Sequence, residues 1–316
     1  MRLFGKSREI GGWRAISFHG GEALAAHVER PSSSLPVVTM AAAEPMAGAA
    51  ASEVLARLSK AWQGQKMACT TAVAQGSYEF LPVDAPNVPA AELKSAIAWT
   101  ITSMIDFSNE EATIDVLSVP HDKTSSQRTK AMYAVVTRAK LANDIQRCFQ
   151  DAKLPLKVID VPEMAQRNIA ALAETEGRAL ALVAFDADGG LLTFTSGGEL
   201  YLARRIAVTA AQLLQPDPAA REPYKEAVAL EIQRSLDHFG RQFSWVGLER
   251  LLVAPLGESD GGLIDFLSAN LDTQVAALDL AAVLDLTRVP QLHSLQAQHK
   301  YFTTLGLALR HEEKVL

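Results

Sequence analysis

Apolar residues in this chain fall into short runs broken by glycine pairs and prolines, and the spacing within each run predicts the element it forms. Residues 13–29 hold two apolar runs about Gly20-Gly21 and read as a β-hairpin, because a tight turn draws on the positive φ that glycine adopts freely. An alanine-rich stretch with Pro45 follows at 40–48. Val54, Leu55, Leu58 and Trp62 share one face of a helix over 52–62, and 68–73 reads as a strand. Pro82, Pro86 and Pro89 break regular structure before a helix with a buried stripe of Leu93, Ile97, Ile101, Met104 and Ile105.

Strands are expected over 112–119 and 131–137, with a polar loop at 121–129 between them, and a helix carrying Leu141, Ile145, Cys148 and Phe149 follows. Residues 156–159 form a short strand. Pro162 suits the first turn of the helix that runs towards Leu172, where its missing N–H would be unpaired anyway. The continuous apolar run 179–185 suits a strand covered on both faces, and Ser196-Gly197-Gly198 makes a hairpin of 191–195 with 199–206. Val228, Ile232, Leu236, Phe239 and Phe243 mark one face of a long helix starting near Pro223. A strand at 251–254, a helix at 263–271, a strand at 275–278 and a helix through Leu305 and Leu309 complete the chain. The order implies two lobes that repeat a hairpin, helix and strand theme, with an α+β block inserted in the first.

Composition narrows the class. With 316 residues, 48% hydrophobic and 21% charged, the chain is long enough for two lobes and needs no metal or disulfide to stabilise its cores. A net charge of −6 argues against a nucleic-acid surface, which would concentrate lysine and arginine. Only Cys69 and Cys148 are present, a usage that suits a reducing compartment, and Cys148 is expected as a small buried hydrophobe. There is no signal-peptide core and no apolar run long enough to span a membrane, so a cytosolic protein is expected. Leu3 and Phe4 in the basic first residues suit contact with an anionic membrane surface, against the plainer reading of a solvated terminus.

The sequence contains no catalytic constellation. His-Glu-x-x-His, Cys-x-x-Cys, Gly-x-Ser-x-Gly and Walker-type glycine loops are all missing, and His293 and His299 stand six apart, off any common helical face.

The strings Ala91-Glu-Leu-Lys-Ser-Ala-Ile-Ala-Trp99 with Ile105-Asp-Phe107, Leu156-Lys-Val-Ile-Asp-Val-Pro-Glu-Met164, Glu231-Ile-Gln-Arg-Ser-Leu-Asp-His-Phe239 and Tyr301-Phe-Thr-Thr-Leu-Gly-Leu-Ala-Leu-Arg310 occur in one order. Together they resemble the type IV pilus PilM/MshI family of the actin-like, FtsA-type group, along nearly the whole chain. The related cytoplasmic domain of the type II secretion protein GspL shares part of the likeness. The resemblance implies an actin-like α/β fold with ribonuclease H-like duplicated lobes. The first lobe would cover 1–76 and 155–178, an inserted α+β subdomain 77–154, and a second lobe with a reduced outer subdomain 179–299, with a C-terminal helix over 300–316 packing back on the first lobe. It also implies a cytoplasmic scaffold at the inner face of the inner membrane. Such a scaffold binds the cytosolic N-terminal tail of a PilN-like partner beside the insert, with a pilus assembly ATPase as a further partner. Trp99, Ile105 and Phe107 are candidates for that groove; an aromatic at helical spacing is more often core.

An actin-type nucleotide site needs two glycine-bearing hairpin turns around the phosphates and acidic groups for Mg²⁺. Here the first turn is Ala15-Ile-Ser-Phe-His-Gly-Gly-Glu22, which keeps Ser17, His19, Gly20 and Gly21 but lacks the family's leading Asp and its Lys. The second, Ala184-Phe-Asp-Ala-Asp-Gly-Gly190, retains Asp186, Asp188, Gly189 and Gly190, and Ala254-Pro-Leu-Gly-Glu-Ser-Asp-Gly-Gly262 supplies Gly257, Gly261 and Gly262 on the adenosine side. These turns define a degenerate site for ATP and Mg²⁺. Glycine pairs serve hairpin turns with or without a ligand, so the expectation is a binding scaffold and not an enzyme, with an active actin-like ATPase and a GspL-like secretion subunit as rivals.

Overall fold

A computed structural model describes residues 12–32, 34–62, 67–122 and 130–310. The segment with Leu3 and Phe4 and most of the 121–129 loop lie outside the described residues. In chain order the first elements are β1 (Gly12–His19), β2 (Glu22–Glu29), β3 (Val37–Pro45), α1 (Ala51–Ala61) and β4 (Cys69–Ala72). An excursion follows through β5 (Tyr78–Asp84), α2 (Leu93–Ile101), β6 (Ala112–Ser118), β7 (Ala131–Arg138) and α3 (Ala139–Asp151), before β8 (Leu156–Asp160) and α4 (Pro162–Ala173). The second half comprises β9 (Ala179–Phe185), β10 (Gly190–Ser196), β11 (Glu199–Ile206), α5 (Ala210–Leu213), α6 (Pro218–Gln242), β12 (Leu248–Val253), α7 (Leu263–Asn270), β13 (Val275–Ala277) and α8 (Leu295–Ala308).

Two five-stranded sheets have the same plan, β3-β2-β1-β4-β8 and β11-β10-β9-β12-β13. In each, an antiparallel meander of three strands continues into two parallel ones. The excursion forms a third sheet, β5-β7-β6, inserted between the two parallel strands of the first plan. The two-residue alternation of a strand explains how both faces are covered. In β2, Leu24, Ala26 and Val28 belong to an inner core, while Ala23 and Ala25 belong to an outer one with Val54, Leu55 and Leu58 of α1. In β9, Leu180 and Leu182 face inward, while Ala181 and Val183 join Val228, Ile232 and Phe239 of α6 outside. The inner core is thus one body shared by both sheets, with α4 and α8 crossing within it.

The alanine-rich stretch, for which the sequence pattern predicts no element, is a strand, β3, paired along β2. Three expectations are corrected by packing. Pro82 lies inside β5, which tolerates it because β5 is an edge strand of its sheet. The long helix starts at Pro218, capped by Asp217, so that Pro223 is within it. Met104 falls beyond the end of α2 and is exposed, while Ile97 and Ile101 are buried. Cys69 is buried and Cys148 half-buried, and both are free thiols. Burial pushes the Cys69 thiol up to about 11, against the pull of Arg14, so it stays protonated.

Candidate functional site

Between the lobes lies a cavity of about 280 Å³. Ser17 and His19 at the end of β1, Asp186, Asp188 and Gly189 of the β9–β10 turn, and His299 and Lys300 of α8 all line it. Gly20, Gly21 and Gly190 do not, and neither do Gly257, Gly261 and Gly262, although Pro255 of that third turn does. A Cβ on Gly20 or Gly21 would meet nothing within 4 Å, so their φ of 57° and 78° answers to the two-residue turn alone. At Gly189, with φ of 134°, a Cβ would approach the Ile206 carbonyl to 2.9 Å. Neighbouring backbone holds that position, and no phosphate is needed to explain it.

Electrostatics point the same way. The Asp186 carboxylate accepts from the N–H groups of Asp188, at 2.8 Å, and of Gly189, at 3.1 Å, and so closes its own turn. The Asp188 carbonyl accepts from the Gln75 amide at 3.2 Å. Arg205 of β11 donates to Gln75 Oε1 at 2.6 Å, to Glu163 Oε1 at 2.7 Å and to the Tyr78 hydroxyl. Tyr78 in turn donates to Glu163 Oε2 at 2.6 Å. Glu163 sits in the first turn of α4 with its side chain only 2% exposed. Burial and the Glu163 carboxylate push the Tyr78 phenol far above its usual range, which keeps it a donor. Burial alone would lower Arg205, and Glu163 and Tyr78 more than reverse that.

Lys300, the other Lys or Arg side chain of the cavity, is paired with Glu22. Burial holds His299 below the usual histidine range, against a hydrogen bond at 2.9 Å from its Nδ1 to the Pro255 carbonyl, so the ring is neutral at pH 7. Among the described residues no group of three His, Cys, Asp or Glu side chains converges as a metal site. Both cations of the cavity are thus paired, and Asp186 is committed to its turn.

A second hollow, about 480 Å³, opens where the insert meets the first lobe. All five residues of β8 line it, facing Thr113 of β6, Val135 and Thr137 of β7, and Ala142 and Gln146 of α3. β8 ends its sheet, with β4 as its only strand neighbour among the described residues. Trp99, Ile105 and Phe107 do not line this groove. Trp99 is 80% exposed on α2, and Ile105 and Phe107 pack on the core of the insert, with the Arg138 guanidinium 4.3 Å from the Phe107 ring centre. Tyr78 is shared, lining the groove while its hydroxyl lies in the cluster beside the cleft.

Two duplicated sheets of this order around crossed helices, with a cleft between, define an actin-like fold. No family model matches the chain, and no curated protein matches it in sequence. Among solved structures it is similar to the PilM–PilN type IV pilus biogenesis complex, at 19% identity over 96% of this chain and 98% of that one, with a TM-score of 0.68. It is also similar to ethanolamine utilization protein EutJ from Carboxydothermus hydrogenoformans, at 11% identity over 94% and 88% of the two chains, with a TM-score of 0.50. The cytoplasmic domain of EpsL, an inner membrane component of the type II secretion system of Vibrio cholerae, overlays at 12% identity over 65% and 76%, with a TM-score of 0.42, which is too loose to bear on function. What the first two share with this chain is the fold.

Proposed function

We propose that this chain is a non-catalytic, PilM-like adaptor of a type IV pilus machine, of the MshI kind, which holds the cytosolic N-terminal tail of a PilN-like inner-membrane partner along β8. The observation that carries this reading is the groove: a largely aliphatic hollow against an edge strand is the geometry by which an extended peptide adds to a sheet, with backbone groups giving affinity and side-chain pockets giving choice. Two further facts support it. The fold matches that of the PilM–PilN complex over nearly its full length, and the paired charges of the cleft leave little to grip a nucleotide. No helix among the described residues is long and apolar enough to cross a membrane, so a membrane-anchored partner would tether the chain to the inner face of the inner membrane. A pilus assembly ATPase is the second partner that the family resemblance brings.

The test is fluorescence anisotropy with a synthetic peptide of the cytosolic N-terminal tail of a PilN-like protein, in the absence of nucleotide. Saturable binding is expected, and no binding at the highest attainable protein concentration overturns the reading. Calorimetry with ATP and Mg²⁺ separates the ATPase rival: micromolar binding that Asp186→Ala and Asp188→Ala abolish would favour it.

A further inference from the structure

The cluster at Arg205 joins three parts of the molecule that the sequence holds far apart. Arg205 belongs to the second lobe, Glu163 to α4 at the junction of the lobes, and Tyr78 to the first strand of the insert. Gln75 extends it to the Asp188 carbonyl on the β9–β10 turn. One chain of hydrogen bonds thus runs from the floor of the cleft to a residue that lines the groove. The Arg205 guanidinium is planar and forked, and it uses both terminal nitrogens here. Its partner Glu163 is almost without solvent, and Arg205 and Tyr78 hold its two carboxylate oxygens, so separating the lobes at this point would break both bonds together.

We propose that Arg205, Glu163 and Tyr78 form a built-in clamp that holds the two lobes closed with no ligand in the cleft, and that ties this closure to the shape of the groove through Tyr78. Where an actin-like cleft has a bound ligand to bridge its lobes, this chain bridges them with its own side chains. The physical basis is a shared network, in which no member moves without breaking the bonds of the others. The second half of the proposal rests on the groove being the working site; the first half does not.

The test uses the full chain with neither nucleotide nor peptide, so it stands apart from any failure of peptide binding. The double substitution Glu163→Gln with Arg205→Gln removes both charges together and leaves no lone buried ion, and Tyr78→Phe removes a single hydroxyl. Hydrogen exchange read by mass spectrometry is expected to rise at least tenfold in β8 and in the first turn of α4 for the double variant, and several-fold for Tyr78→Phe, with α7 unchanged. Spin labels at Lys60→Cys and Ala269→Cys, in a Cys148→Ser background, are expected to give one narrow distance that gains a longer population in the double variant. An unchanged distance together with unchanged β8 exchange, or a rise in exchange spread evenly through α7, would overturn the clamp.

Discussion

Gly306 of α8 lies directly on the backbone of Ala165 in α4: a Cβ at 306 would overlap the Ala165 carbonyl. The contact is sealed by Asn168, whose side-chain amide donates to the Gly306 carbonyl at 2.9 Å. Because both helices sit in the core that the two sheets share, their separation sets the spacing of the lobes. Gly306→Ala should therefore lower stability by about 1–3 kcal/mol, the usual cost of overpacking a close contact, despite the better helix propensity of alanine. Chemical denaturation would measure it, and a neutral or stabilising result would mean that the crossing has slack.

The glycines of the two cleft turns should behave oppositely. Gly20→Asn is expected to leave stability within about 0.5 kcal/mol, since the position is open and asparagine tolerates left-handed backbone. Gly189→Ala should be destabilised by more than about 1 kcal/mol, because both its φ and the Ile206 carbonyl oppose a side chain. Thermal melting of the two variants side by side measures the contrast.

Ala142 lines the groove from α3 and is only half-buried. Ala142→Trp should fill the hollow and weaken the tail peptide at least tenfold, about 1.4 kcal/mol, while the melting temperature stays within a few degrees. Undiminished peptide binding in anisotropy would place the peptide elsewhere.

Stability should fall as pH drops below about 6.5. His27 and His299 are both held below the ordinary histidine value of about 6.5, chiefly by burial. The unfolded chain then takes up protons before the folded one does, so each proton gained favours unfolding, and this penalty vanishes above the unfolded value. Replacing His299 by Asn should flatten the slope of unfolding free energy against pH on the acid side of about pH 6.5. Asp160 acts in the reverse sense at lower pH, because burial raises its carboxyl.

Local patterns revealed most elements and little of the working surface. The turns at Gly20-Gly21 and Gly197-Gly198 were legible because glycine pairs mark positive φ, and the apolar face of α6 was legible at helical spacing. β3 carries no clear strand signal because the run Ala41-Ala42-Ala43 at its centre shows no alternation, and Pro82 reads as a breaker because the sequence does not show that its strand is an edge, where the penalty is removed. Trp99 shows the limit of periodicity, which places a side chain on a face without saying what covers that face. The groove and the Arg205 cluster had no sequence signal at all. Tyr78 and Arg205 are 127 residues apart, on strands of different sheets, so no local pattern can announce their contact.

The way α8 closes the first sheet also bears on how the protein is made. β1, β2 and β4 leave the ribosome early, yet the helix that covers their inner face is the last element described. At roughly 5–20 residues per second, that apolar surface waits on the order of ten to fifty seconds for its cover. Nascent first-lobe strands are thus a natural client for a holding chaperone, and the second lobe, which contains its own outer helix α6, is free to form before the first is finished.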